Sequence, residues 1–177
     1  DMVLENQPDK KIAVIDSRST GPEMVLLVKK ICEIIESGAD FDTVVSKAEL
    51  YSNHTHIVFA LSSFDNLVKN GRMSKIVGFV ANKLGFWGIG IGSKQGTIEI
   101  KQKIRGSKKA LDAIIDDMKE RGYNCGKVVI SHCRNAEFAE SVKSAIQSVW
   151  DKAEVKIVHA RGLCSYYAEK GGLIIGF

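Results

Sequence analysis

The sequence predicts an α/β domain with two layers: a mixed, partly antiparallel sheet and helices on one face. Short apolar runs rich in β-branched residues alternate with amphipathic stretches of helical period. Two strand-like segments in the middle of the chain are separated only by "SKQG", which is typical of an antiparallel hairpin. The 177 residues suffice for one domain with a sizeable core.

The first part of the chain predicts one strand and two helices. "KIAVID" (Lys11–Asp16) is a β-branched run suited to a buried strand. Thr20 precedes "GPE" as the expected N-cap of a helix that ends at Gly38. Asp40 or Asp42 is then expected to cap a second helix.

The next segment places an arginine between two short helices. "HIVFAL" (His56–Leu61) predicts a strand, and Ser62 and Ser63 are natural N-caps for the helix "FDNLVKN". Gly71 closes that helix, and Arg72 follows at once. Arg72 either complements the dipole of the finished helix or holds a guanidinium at a cleft, where it could bind a carboxylate with both nitrogens.

A further amphipathic helix is expected from Met73 onward. In "MSKIVGFVANKLGFW" the aromatic residues Phe79 and Phe86 lie off the apolar stripe, and Lys75 and Lys83 flank it. Such a helix either packs in a core or lies on an anionic membrane surface.

The hairpin pairs Trp87–Gly92 with Thr97–Ile104, and its first strand carries glycines at period two. Glycines on one strand face indicate that something bulky packs there, either a helix or an apolar ligand. The remaining chain predicts further alternating elements: a helix at 107–122, a strand at 127–132, a helix at 136–150, and strands at 154–160 and 172–177.

Charge is distributed unevenly along the chain. Lys69–Lys109 contains ten Lys and Arg residues and one acid, Glu99, so the block carries +9 in a chain of net charge +4. The block indicates an anionic partner or a solvated face, whereas the small total does not indicate nucleic-acid binding. The four cysteines lack metal-ligand spacing and are expected to be buried free thiols. No membrane span or signal peptide is apparent, which predicts a cytoplasmic protein.

The histidines give no catalytic or metal site at this level. His132 and Cys133 end a predicted strand, but adjacent strand residues point to opposite faces and cannot easily form a nucleophile–base pair. His54 and His56 alternate onto one face, as a metal pair would, without an apparent third ligand. We therefore predict no catalytic residue, no metal and no cofactor.

The order of these features resembles the DegV family of bacterial fatty-acid-binding proteins. The matching features are a strand ending in two polar residues, a short helix, a glycine–arginine turn, an amphipathic helix, a hairpin and "KIRGSKKAL". "IDSRST" and the closing "GGLIIGF" fit the same family, so the resemblance covers Lys11–Phe177.

The resemblance implies a carrier and not an enzyme. Members hold a long-chain fatty acid between two domains and present its carboxyl group to a fatty acid kinase related to dihydroxyacetone kinases. It also implies transient contact with a membrane surface and no nucleic-acid partner. The alternatives are a protein-interaction domain with a basic docking face and no lipid, and, less well supported, a small-molecule transferase.

Particular residues take roles from this resemblance. Arg72 is similar to the arginine of the family's Gly-Gly-Arg turn, with Asn70 replacing the first glycine. Arg105 is similar to the arginine before the family's Lys-Lys-Ala-Leu helix start, a candidate partner contact. Met73–Leu84 corresponds to a gating helix. Its candidate contacts with a partner or membrane are Lys75, Phe79 and Lys83.

The chain departs from the family pattern where the carboxyl group would bind. Ser62 and Ser63 stand in place of the usual Asp-Thr, and Tyr167 stands where a histidine is usual. A tyrosine hydroxyl can bond a carboxylate, although it carries no positive charge at neutral pH. The expected ligand-binding set is therefore Ser62, Ser63, Arg72 and Tyr167.

The resemblance also suggests a domain division. Residues 1–19 would be the last strand of an N-terminal α/β domain, and residues 20–177 the C-terminal two-layer domain. The orphan strand and an open interface face would then favour a homodimer.

Overall fold

The computed structural model describes Glu5, residues 9–73 and residues 85–177. Its described part contains six helices and one six-stranded sheet. The helices are α1 (Pro22–Glu36), α2 (Phe41–Ser52), α3 (Asp65–Lys69), α4 (Ser107–Glu120), α5 (Ala136–Val149) and α6 (Gly162–Ala168). The strands are β1 (Ile57–Leu61), β2 (Phe86–Gly92), β3 (Ile98–Arg105), β4 (Lys127–His132), β5 (Glu154–His159) and β6 (Leu173–Gly176).

The sheet is mixed, as the sequence predicts. Its order is β3-β2-β1-β6-β4-β5, and only β4 and β5 run parallel. The predicted hairpin is confirmed, because β2 and β3 pair antiparallel from Phe86 with Arg105 to Gly92 with Ile98. A bulge between Ile89 and Gly90 shifts the register within the hairpin.

Helices cover both faces of the sheet, not the single face expected from the sequence. On the first face, Val58 and Ala60 of β1 pack with residues of α4 and α5. On the second face, Ile57 and Phe59 pack with Leu67 of α3 and with α6. Helix α1 also lies on the second face, where its first turn leaves no space for a side chain at Gly176. Because β1 is central, both faces of this strand are buried.

The bulky groups beside the glycines of β2 are side chains of the protein's own core. A Cβ at Gly88 would lie 2.1 Å from Cζ of Phe64, and a Cβ at Gly90 would lie 2.5 Å from the Phe59 ring. These distances are far inside the normal contact distance between carbon atoms. The glycines therefore leave the space that the Phe64 and Phe59 rings occupy against the second face.

The predicted first strand is wrong. Residues 11–16 have no strand structure, and Val14 is 90% exposed. Lys11 instead pairs with Asp42 of α2 at 2.9 Å. A β-branched run becomes a strand only where a neighbouring strand accepts its hydrogen bonds, and no described strand pairs with this run.

Local signals for the helix ends are partly confirmed. Asp40 caps α2 by accepting the backbone N–H of Thr43 at 2.8 Å. Helix α1 begins after Gly21 without a side-chain cap, so the expected cap at Thr20 is wrong. Helix α6 was not predicted at all.

All four cysteines are free, as expected, but their expected burial is wrong: Cys32 and Cys125 are exposed, and Cys133 and Cys164 are half-buried. Within the described residues, no helix combines the length and the apolar character needed to cross a bilayer.

Candidate ligand-binding groove

An apolar groove of about 450 Å³ lies on the second face of the sheet. Its floor is formed by Ile57, Phe59 and Leu61 of β1 and by Ile174 of β6. The volume lies within the range of about 300–1,000 Å³ that is typical of ligand pockets. The groove is therefore large enough for an extended apolar molecule.

The groove lies between two structural walls. One wall is α3 with the turn that follows it, together with α6, which contributes Tyr167 and Leu163. The other wall is the segment 18–20 and the tip of the β2–β3 hairpin, including Ile98. Leu163 is 68% exposed, so apolar surface continues from the floor to the rim.

The turn after α3 fixes the position of Arg72 at the rim. Gly71 has a positive φ of 66°. Its N–H donates to the carbonyl of Val68 at 3.1 Å, and the N–H of Arg72 donates to the carbonyl of Leu67 at 2.8 Å. This pair of bonds is the Schellman motif, which a glycine in the left-handed region permits. The predicted role of Gly71 is thus confirmed.

Arg72 is the available cation of the groove lining. Its guanidinium has no hydrogen-bond or ion-pair partner among the described residues. Arg18, which also lines the groove, donates to the Lys94 carbonyl at 3.2 Å and to Oδ1 of Asn53 at 3.1 Å. No described residue of the lining is acidic. The rim therefore favours a negatively charged group next to Arg72.

The start of α3 is held by a distant carboxylate and not by the serines predicted to cap it. Glu169 accepts the backbone N–H of Asn66 at 2.8 Å and the hydroxyl of Ser63 at 2.5 Å. The Ser62 hydroxyl donates to the carbonyl of Lys170 at 3.2 Å. The serine-cap prediction is wrong because each hydroxyl bonds the segment after α6 instead.

The structure brings only part of the expected ligand-binding set together. Arg72 and Tyr167 line the groove, whereas Ser62 and Ser63 are not among its lining residues. Sequence reasoning did not single out Arg18 or Leu163, although Arg18 lies within the quoted "IDSRST". Glu169 gave no sequence signal, because its partners lie about a hundred residues earlier in the chain.

The remaining candidates lie elsewhere. Arg105 is exposed at the end of β3 and pairs across the hairpin with Phe86, away from the groove lining. Lys75, Phe79 and Lys83, like most of the expected gating helix, lie outside the described residues.

The paired histidines do not form a metal site. His54 and His56 precede β1, so they do not alternate on one strand, and Nδ1 of His54 bonds the carbonyl of Leu50. Burial lowers the pKa of His56. In the described part of the chain, no three His, Cys, Asp or Glu residues could hold a metal ion together.

Fold and groove together define an α/β binding domain, with an apolar floor and, at the rim, a guanidinium that pairs with no described residue. The chain belongs to the DegV family: a family model described as "Uncharacterised protein, DegV family" matches residues 1–177. A DegV domain-containing protein of Streptococcus pneumoniae R6 is 42% identical over 174 residues, covering 98% of this chain. This chain spans only 62% of that relative's length.

Solved structures of related proteins share the fold. The fatty acid kinase (Fak) B3 protein of Streptococcus pneumoniae, loaded with linoleic acid, matches with a TM-score of 0.96 and 41% identity. A DegV family protein of Eubacterium eligens, loaded with heptadecanoic acid, matches with a TM-score of 0.95 and 38% identity. Each match covers 99% of this chain and 63% of the other.

Proposed function

We propose that this chain belongs to a fatty-acid carrier that presents a bound carboxyl group to a fatty acid kinase. The acyl chain lies along the apolar groove, and the carboxylate is bound by Arg72 with Tyr167 nearby. The observation that carries this proposal is the Arg72 guanidinium, which pairs with no described residue and lies at the rim of an apolar groove whose described lining contains no acid. The fatty acids bound by the Streptococcus and Eubacterium relatives support it.

The two ends of the ligand contribute different free energies. Each methylene removed from water contributes about 0.8 kcal/mol, so chain length dominates the affinity. A carboxylate bonded to arginine contributes about 1.5–3 kcal/mol when it is buried. Arg72 is exposed, so solvent screening reduces this contribution to about 1 kcal/mol. Arg72 therefore selects the acid head group and adds less to the total affinity.

A comparison of two ligands tests this division of the binding free energy between the acyl chain and the head group. Arg72→Ala should weaken binding of a long-chain fatty acid about five-fold. Binding of the alcohol with the same chain should change less than two-fold, because it carries no charge. Arg105→Ala is the matched control, since it removes an exposed arginine outside the groove. Equal loss for acid and alcohol, or no loss for the acid, would remove Arg72 from the carboxylate site.

The kinase contact is proposed for the basic edge near β3. Lys103, Arg105, Lys108 and Lys109 are exposed and form no ion pair with a described residue. Arg105→Glu should reduce phosphorylation of bound fatty acid by a dihydroxyacetone-kinase-like partner while leaving fatty-acid affinity unchanged. Unchanged phosphorylation would exclude Arg105 from the interface.

The expected membrane contact of residues 75–83 is also a proposal. Lys75→Glu with Lys83→Glu should slow transfer of fatty acid from anionic vesicles, because the lysines would contact the lipid head groups. An unchanged transfer rate would count against this contact.

The same basic edge favours a second candidate function, a protein-interaction domain that carries no lipid. Lipid extraction and mass spectrometry of the purified protein separate the two. Recovered long-chain acid supports the carrier, and its absence from both this chain and a form of the relatives' full length supports the interaction domain.

The domain division at residues 19 and 20, the cytoplasmic location, the homodimer and the absence of catalysis also belong to this proposal. The division is supported by the lack of helix and strand in residues 11–20 and by the greater length of the relatives. Light scattering that detects only monomer at high concentration would exclude the homodimer.

A further inference from the structure

A second cavity, of about 500 Å³, lies at the carboxyl ends of β4 and β5. His132 and His159, the last residues of these strands, border it, together with Arg134 and Lys170. Helix α6 separates the two cavities, because Tyr167 lines the groove whereas its neighbour Tyr166 lines this cavity. The cavity takes no part in the proposed fatty-acid site.

The strand connections open this cavity. Helix α5, which follows β4, packs on the first face of the sheet, and α6, which follows β5, packs on the second. Two neighbouring parallel strands whose following helices leave to opposite faces create a crevice at their carboxyl ends. Ligands of open α/β sheets bind in this position. The topology therefore supplies a cavity that has no role in packing the core.

His132 directs a hydrogen-bond donor at this crevice. The residue is only 4% exposed, and its Nδ1 accepts the backbone N–H of Asn135 at 3.1 Å. Nδ1 is therefore unprotonated in the neutral ring, and Nε2 carries the hydrogen. The ring forms no other hydrogen bond with a described residue, although it borders the cavity. Among the described residues no fully buried side-chain nitrogen or oxygen lacks a partner, so this Nε2–H is accessible from the cavity, where a ligand can accept its hydrogen.

The described residues that line the cavity are positively charged or neutral. Arg134 and Lys170 form no ion pair with any described residue, and none of the described lining residues is acidic. Glu169, the neighbour of Lys170, already accepts hydrogen bonds from the Ser63 hydroxyl and from the Asn66 N–H at the start of α3. The cavity therefore attracts an anion and repels a cation, in agreement with the lack of a three-ligand metal cluster among the described residues.

We propose that this crevice binds a phosphate-class oxyanion through His132 Nε2–H, Arg134 and Lys170, with the His159 ring beside them. The His132 and His159 rings lie 4.6 Å apart, so both are within reach of one tetrahedral group. Burial, and secondarily the nearby His159, lowers the pKa of His132, which keeps this ring a neutral donor at pH 7. The ligand is either inorganic phosphate or the phosphoryl group of a monoester.

Titration of the ¹⁵N-labelled chain with inorganic phosphate at constant ionic strength tests the proposal. The NMR chemical shifts of the Asn135 amide and the His132 imidazole should change along a saturable curve, because the Asn135 N–H is hydrogen-bonded to the His132 ring. A parallel titration with methyl phosphate distinguishes the two sources. Equal or tighter binding of the monoester assigns the site to a phosphoryl group on a larger molecule, and binding of phosphate alone assigns it to the free ion. Non-saturable shifts with both probes would overturn the proposal.

Three variants and one matched control locate the binding. Arg134 has a positive φ of 53°, so Arg134→Gly removes the guanidinium without opposing the backbone. Arg134→Gly, Lys170→Ala and His132→Phe should each weaken phosphate binding about five-fold or more. Lys152→Ala removes an equal charge at the other end of β5 and should change the affinity less than two-fold.

If His132→Phe fails to fold, the variants at the exposed residues Arg134 and Lys170 still test the proposal. Equal losses in Lys152→Ala and Lys170→Ala would mean that phosphate senses only net charge, which contradicts the proposed site. Fatty-acid binding measured on the same variants should be unchanged, so this proposal and the carrier proposal can fail independently.

Discussion

Substitution of Gly88 tests how the glycine strand positions the groove wall. In Gly88→Ala, the new Cβ would lie 2.1 Å from Cζ of Phe64, a fully buried residue. Normal carbon contacts are about 3.5–4.0 Å, so the ring or the strand must move by more than 1 Å. Overpacking of this kind costs about 1–3 kcal/mol. Alanine also leaves the unfolded chain with less conformational entropy than glycine does. This effect stabilises the folded protein by about 0.4–1 kcal/mol and offsets part of that cost.

A double-mutant cycle in urea measures this contact. Gly88→Ala should lower the free energy of unfolding by about 1–2 kcal/mol in the natural background. In a Phe64→Leu background the ring atoms that clash with Cβ are absent, so the same change should raise the free energy of unfolding by about 0.4–1 kcal/mol through the unfolded state alone. The expected coupling is therefore the overpacking energy itself, about 1–3 kcal/mol. Additive effects of the two substitutions would refute the reasoning.

The same substitution should also affect ligand binding. Phe64 immediately precedes α3, whose last turn sets the position of Arg72. A displaced ring therefore moves the groove wall, and fatty-acid affinity should fall in Gly88→Ala and recover partly in the double mutant. Unchanged affinity in the destabilised single mutant would show that the wall does not depend on this contact.

Three other substitutions probe a half-buried carboxylate, a buried carboxylate and a buried histidine. Glu169→Gln should lower the free energy of unfolding by about 1–2 kcal/mol, measured in urea, because a neutral side chain holds the Asn66 N–H and the Ser63 hydroxyl less strongly. Asp117 is 4% exposed and forms an ion pair with Arg121 at 2.8 Å. Asp117→Asn should therefore lower the free energy of unfolding by about 2–4 kcal/mol, measured as a lower melting temperature. Burial lowers the pKa of His132 below its ordinary value near 6.5, so the unfolded chain binds this proton first as pH falls. The free energy of unfolding should therefore decrease below about pH 6.5, by up to about 1.4 kcal/mol per pH unit, and His132→Gln should flatten this dependence.

Most of the fold could be predicted from local patterns. The hairpin was predicted because β2 and β3 are separated by a short polar turn, and α4 and α5 because their apolar residues recur at helical spacing. The strand prediction for residues 11–16 was wrong because this β-branched segment has no neighbouring strand in the described structure. Helix α6 was missed because its seven residues offer too few apolar repeats to show a period.

The candidate site was predicted less completely. Gly71 and Arg72 could be placed at a helix end because the C-terminal glycine signal lies within a few residues of sequence. The serines could not be placed correctly, because their hydroxyls bond partners after α6. The crevice at His132 was recognised as a strand end, but its charge depends on Arg134, His159 and Lys170 meeting there.

By itself, the sequence determined the α/β class, the central hairpin, the turn that ends in Arg72 and the basic stretch around β3. These features depend on interactions among neighbouring residues, whose chemistry a short window of sequence contains. Only the tertiary structure decided that α6 and the segment 18–20 enclose an apolar groove, and that Glu169 holds the start of α3. These arrangements join residues about a hundred positions apart, and their geometry follows from the packing of the whole sheet.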